Sequence, residues 1–180
     1  MMRSVVDIWV KDLIAARATS DRFEPSLERR PTVQEAYQIQ SKVAKSIGPV
    51  GGFKTARKGD DLPIMAPIFS KDIVQSGAQV PVTDLLGIEL EVGFQIVKEC
   101  PEGLGHLSIH DLAPFLRPVV IIELVDTRLK GPFAQDDIVK LIDNQINAGL
   151  VIGACAQTWT GSDFTTFNAR MQAGEDVILD

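Results

Sequence analysis

Between Gly87 and Ile96 the chain reads Gly-Ile-Glu-Leu-Glu-Val-Gly-Phe-Gln-Ile, an alternation of apolar and non-apolar residues with no break. A period of two is the signature of a β-strand with one apolar face. Ile88, Leu90, Val92, Phe94 and Ile96 share that face, and Glu89, Glu91, Gly93 and Gln95 share the other. Residues two apart on one face of a strand stand about 6.5–7 Å apart, so Glu89 and Glu91 can converge on a cation between them. The alternative is a solvated sheet face, although glutamate is depleted in strands.

A second segment sharpens the reading. Pro118-Val-Val-Ile-Ile-Glu-Leu-Val125 is apolar on both faces, as in a strand covered on both sides, with Glu123 in its midst. A buried carboxylate left unpaired costs several kcal/mol or takes up a proton. Glu123 therefore needs a metal ion, or a cation such as Lys54 or Arg128 as a structural ion pair. Three hard oxygen ligands without cysteine or histidine would favour Mg²⁺ or Mn²⁺ over zinc.

Composition narrows the partners. With 24 acidic and 18 basic residues among 180, the net charge is −6, which gives phosphate backbones and anionic membranes no general attraction. Neither nucleic acid nor a membrane is an expected partner. Cys100 and Cys155 are far apart and form no CxxC, so a disulfide framework or zinc site is not expected. Asp7, Lys11 and Asp12 interrupt the N-terminal apolar residues before a signal-peptide core is complete, and no run approaches the ~18 apolar residues of a membrane span. The cytoplasm is the expected location.

Val6, Trp9, Val10, Leu13 and Ala16 recur at helical spacing and predict a helix over about 3–18. Thr32 and Glu35 form a capping box that opens a second helix, which Gly48-Pro49 stops. Strands are expected at 53–56, 74–82, 87–97 and 118–126, a short helix after Ser108, and another through Ile138, Leu141 and Ile142 that ends near Gly149. Leu150–Ile152 reads as a buried strand. Residues 165–172 alternate and predict one arm of a hairpin whose return is Val177–Leu179. The expected class is α+β, with an N-terminal helical unit over 1–50, a β-rich domain over 51–180, and residues 48–60 as the plausible linker.

Lys54 follows Gly51-Gly52-Phe53, where backbone can approach a ligand closely and a lysine supplies fixed positive charge. On its own a lysine there reads as a surface residue. His106 and His110 read as surface or capping residues, and Gly103-Leu104-Gly105-His106 lacks the strand-then-helix context of a dinucleotide loop.

Several segments occur together in order: Thr32–Gln40, Gly52-Phe53-Lys54, Ala66-Pro67-Ile68-Phe69-Ser70, Gly87–Phe94, Ile122–Arg128, and Asp143-Asn144 followed by Gly149. Together they resemble the 2-keto-4-pentenoate hydratase and 4-oxalocrotonate decarboxylase family of the fumarylacetoacetate hydrolase superfamily, over roughly residues 30–180. The resemblance implies a helical N-terminal unit on a mixed, curled β-sheet like that superfamily's β-roll, incomplete at its C-terminal end. It implies a metal-dependent lyase acting on small 2-oxo or 2-hydroxydienoic acids from aromatic-compound breakdown, hydratase before decarboxylase. By position, Glu89, Glu91 and Glu123 match the ligands of Mg²⁺ or Mn²⁺, and Lys54 and Ser70 match substrate-side residues.

Two departures bear on the reaction. Ile68 stands where many hydratases of the family carry an aspartate, and no histidine precedes His106, which disfavours hydrolytic carbon–carbon cleavage. Family members usually continue beyond the point where this chain stops, so an open sheet edge near the C-terminus is expected to invite a second chain. A homo-oligomer, or association with a family hydratase or decarboxylase, follows from that expectation, as does the alternative of a non-catalytic 2-oxo acid-binding or partner subunit.

Overall fold

The structure is a computed structural model and describes residues 4–25, 30–57, 59–81, 84–103, 105 and 107–179. In chain order its elements are α1 (Val5–Thr19), α2 (Val33–Ile47), β1 (Val50–Ala56), β2 (Ile64–Phe69), β3 (Ile73–Gln75), β4 (Gly87–Ile96), α3 (Ile109–Leu112), β5 (Leu116–Val125), α4 (Asp137–Ile142), β6 (Asn147–Cys155), β7 (Met171–Ala173) and β8 (Asp176–Leu179). The class is α+β, as expected. Two compact units divide it, one of residues 1–89 and 123–151 and the other of 90–122 and 152–180.

In the first unit the helix starts follow local chemistry. Ser4 accepts from the Asp7 amide at 3.2 Å, and the Thr32 hydroxyl accepts from the Glu35 amide at 3.2 Å while Glu35 accepts from the Thr32 amide at 2.9 Å. Gly48 ends α2 and returns its amide to the Ala44 carbonyl. The apolar stripes of both helices enter one core in which Trp9, Leu13, Ile39 and Val43 meet Phe69, Leu129, Val139 and Ile142. Gln40, inside that core, is satisfied by donating to the Leu141 carbonyl.

β1 and β2 form an antiparallel hairpin in which Lys54 stands opposite Ala66 and Phe53 opposite Pro67. A four-stranded sheet has the order β3-β6-β5-β4. Leu86 donates to Val125 and Val97 to Phe115, each at 2.9 Å, so β4 and β5 run antiparallel. In the second unit α3 carries a capping box between Ser108 and Asp111, and Phe94 packs on Trp159 and Phe164 at centroid distances of 5.1 and 5.8 Å. A Cβ on Gly93 would overlap the Ile121 side chain, so the missing side chain lets that isoleucine lie across the strand. Among the described residues no helix is long and apolar enough to cross a membrane.

Several expected elements differ. The segment read as a linker holds β1 and carries Lys54. β2 contains Pro67, which lowers its strand signal and is accommodated in a two-stranded hairpin. The strand expected at 74–82 covers only Ile73–Gln75, with Val82 outside the described residues. The helix expected to run near Gly149 stops at Ile142, because the Asp143 carboxylate turns back to the Thr127 hydroxyl and the Arg128 amide. Residues 165–170 alternate without forming a strand, and the C-terminal hairpin pairs only β7 with β8. His106 lies outside the described residues, and His110 sits in α3 with Nδ1 2.9 Å from the Thr160 carbonyl.

Candidate functional site

The antiparallel register brings Glu89 of β4 nearly opposite Glu123 of β5. Like charges facing each other across a strand pair are destabilising, and the Glu123 side chain is wholly buried. Lys54 answers both. Its ammonium lies 2.5 Å from Oε2 of Glu123 and 3.3 Å from Oε2 of Glu89. Its side chain is 16% exposed, so it is not the surface lysine that its isolated sequence setting suggested. Burial acts to lower the Lys54 pKa, but the hydrogen bond to Glu123 and the charges of Glu123 and Glu89 outweigh it and hold the ammonium above its ordinary value.

Glu123 is held from its other oxygen as well. Asn147, at the start of β6, donates from Nδ2 to Oε1 at 2.8 Å. The alternative cation, Arg128, is committed elsewhere: Nε binds Oδ1 of Asp143 at 2.6 Å, Nη2 the Asp143 carbonyl at 2.7 Å, and Nη1 the Asn147 carbonyl at 2.9 Å. Arg128 therefore fixes the backbone of the residue that grips Glu123. Between Ile142 and Asn147 the chain turns through three consecutive left-handed residues, Asn144, Gln145 and Ile146, with φ of 54°, 54° and 55°. That conformation is unusual for non-glycine residues and for a β-branched one most of all. Asn144 is tied there by its side-chain amide, which donates to the Pro67 carbonyl at 2.9 Å.

Glu91 follows Glu89 by two residues on β4, and within the first unit carboxylate oxygens of Glu89 and Glu123 lie within 4.8 Å of one another. The all-carboxylate donor set is of the kind that a hard divalent cation takes. Ser70 is placed elsewhere, in the turn after β2, at the end of the hairpin away from Lys54, with its amide bonded to the Pro49 carbonyl. Asn147 carried no sequence signal, since it falls inside a segment with helical spacing.

No protein-family model matches this sequence, and no curated protein does. Solved structures match its fold. One is 4-oxalocrotonate decarboxylase from Pseudomonas putida G7 complexed with magnesium and adipate, with a TM-score of 0.67 and 18% identity over 85% of this chain and 64% of that one. The same decarboxylase complexed with calcium and acetate gives a TM-score of 0.66 and 17% identity over 85% and 63%. This chain therefore spans under two thirds of the length of these structures. At that identity the likeness is one of fold, and it agrees with the α+β architecture that the sequence segments implied.

Proposed function

We propose that this chain is a divalent-metal-dependent lyase acting on a small 2-oxo or 2-hydroxydienoic acid, with hydration of a substrate such as 2-keto-4-pentenoate as the leading reaction. The observation that carries the reading is the convergence of Glu89 and Glu123 on the Lys54 ammonium, with Glu91 two residues further along β4. Bound among the carboxylates, Mg²⁺ or Mn²⁺ would supply Lewis acidity toward the carboxylate and 2-oxo oxygens of the acid, favouring its enolate. Lys54 adds a fixed positive charge, offsetting three glutamates so that an anionic substrate can approach. The burial of Glu123 and Lys54 limits screening by water.

Decarboxylation is the second reading. It is favoured by the fold likeness to a decarboxylase and by Ile68, which is 3% exposed and cannot transfer a proton. Hydration needs a group that delivers a proton to carbon, whereas loss of CO₂ asks chiefly for stabilisation of the electron pair left behind. The test supplies Mg²⁺ and, separately, 2-hydroxypenta-2,4-dienoate and 4-oxalocrotonate, following dienoate absorbance and CO₂ release. Absorbance lost from the dienoate without CO₂ marks a hydratase, and CO₂ from the oxalocrotonate a decarboxylase. Cation and oxalate binding without turnover would leave a non-catalytic 2-oxo acid-binding subunit, and failure to bind any divalent cation would refute the whole reading.

A further inference from the structure

We infer that Asn147 is a positioning residue that sets the cation preference of the site: by gripping Oε1 of Glu123 it commits that carboxylate to present Oε2, which favours Mg²⁺ over Ca²⁺. This rests on the reading of Glu89, Glu91 and Glu123 as cation ligands. The contact joins two buried groups, Asn147 at 6% exposure and Glu123 at 0%. In such surroundings a hydrogen bond to a carboxylate is strong, and its loss leaves the acceptor poorly satisfied.

The orientation of the amide is fixed by chemistry. Nδ2 faces two acceptors, Oε1 of Glu123 at 2.8 Å and the Gly149 carbonyl at 3.5 Å, so the flipped amide would set oxygen against oxygen. The backbone of Asn147 is fixed too. Its carbonyl accepts from Arg128, which is locked onto Asp143, and the left-handed turn before it is tied down through Asn144 and Pro67. Non-glycine residues persist in such a conformation only where their surroundings over-determine it. Here they deliver one amide to one carboxylate oxygen.

The consequence lies in coordination chemistry. Ca²⁺ takes six to eight oxygens and readily uses both oxygens of a carboxylate, whereas Mg²⁺ requires a near-ideal octahedron of single oxygens. With Oε1 held by Asn147 and Oε2 turned toward Lys54 and Glu89, Glu123 is arranged to give one oxygen. A small octahedral ion loses nothing by that restriction, and a larger ion loses a ligand.

The test is calorimetric titration of Mg²⁺ and of Ca²⁺ into wild type, Asn147→Ala, Asn147→Ser and Glu123→Gln, with circular dichroism to confirm the fold. Asn147→Ala should lose Mg²⁺ affinity by about 10–100-fold, the usual effect of removing a partner of a metal ligand, while Ca²⁺ affinity falls less, so that the Mg²⁺/Ca²⁺ ratio drops. Asn147→Ser, which keeps a donor, should give an intermediate ratio, and it carries the test alone if the alanine variant does not fold. An unchanged ratio, whether affinities hold or fall together, would overturn the proposal and leave Asn147 a structural residue. Wild type that takes up neither ion, or Glu123→Gln that binds as wild type does, would instead overturn the ligand assignment beneath it.

Discussion

Arg128 and Asp143 hold each other side chain to side chain at 2.6 Å in a part of the first unit where the aspartate is completely buried. Asp143 also lies 3.6 Å from Nη2 of Arg17, whose guanidinium stacks over Phe69 and whose Nε and Nη2 make no hydrogen bond. Burial, with Arg128 adding repulsion, pushes the Arg17 pKa down to about 10. One carboxylate thus serves two guanidiniums, and its removal takes away the counter-charge that they share.

Asp143→Ala should therefore destabilise the protein by at least the 3–5 kcal/mol typical of breaking a buried pair from one side. Urea unfolding would measure it. A loss below about 1 kcal/mol would mean that the two arginines find water or other acceptors without it.

Lys54→Met removes the ammonium from between Glu89 and Glu123 while keeping the length of the side chain. Divalent-cation affinity should hold or rise, because the resident positive charge no longer competes for those carboxylates. Oxalate binding to the metal-loaded protein should weaken tenfold or more, equivalent to about 1.4 kcal/mol. Calorimetry with each ligand distinguishes this from a structural role for Lys54, in which cation affinity falls and oxalate affinity holds.

Asp72, in the turn after β2, has its pKa raised above 3.8 by burial, against the opposing charges of Lys71, Arg17 and Arg128. The folded state then holds more protons than the unfolded state between 3.8 and the raised value, so stability falls as pH climbs through that window. Asp72→Asn should be more stable than wild type at pH 7, and the difference should vanish below pH 3.8. Thermal melts across that range would expose the opposite sign if Lys71 and the two arginines dominate.

Thr32→Ala removes one half of the capping box of α2 and should cost about 1 kcal/mol. For a chain of this size that corresponds to a Tm lower by about 2–4 °C. An unchanged Tm would indicate that packing of Ile39 and Val43 alone fixes where the helix begins.

What the sequence made legible was what local periodicity and local chemistry control. β4 announced itself by alternation, α2 by Thr32 and Glu35, and Glu123 by a charge inside an apolar run. The partner of Glu123 was legible only as a pair of candidates, Lys54 and Arg128, because the deciding contact joins residues 69 apart in the chain. Asn147 was hidden for a different reason. The apolar spacing of Ile138, Leu141 and Ile142 continues smoothly toward Gly149, and the left-handed turn that interrupts it is imposed by bonds to Arg128 and Pro67 that no window of sequence contains. The alternation at 165–170 misled in the opposite sense, since a period of two predicts a strand only where a neighbour pairs with it.

That turn also gives the site an order of assembly. Three left-handed residues in succession, one of them isoleucine, are uphill for an isolated peptide, so Asn144–Ile146 cannot act as an early nucleus. The turn is held by the Pro67 carbonyl and by the Arg128–Asp143 pair, and it sets the Asn147 amide on Glu123. The Asn147–Glu123 contact is then expected to form late in folding, and the amide of Asn147 should be among the last in its unit to gain protection from hydrogen exchange.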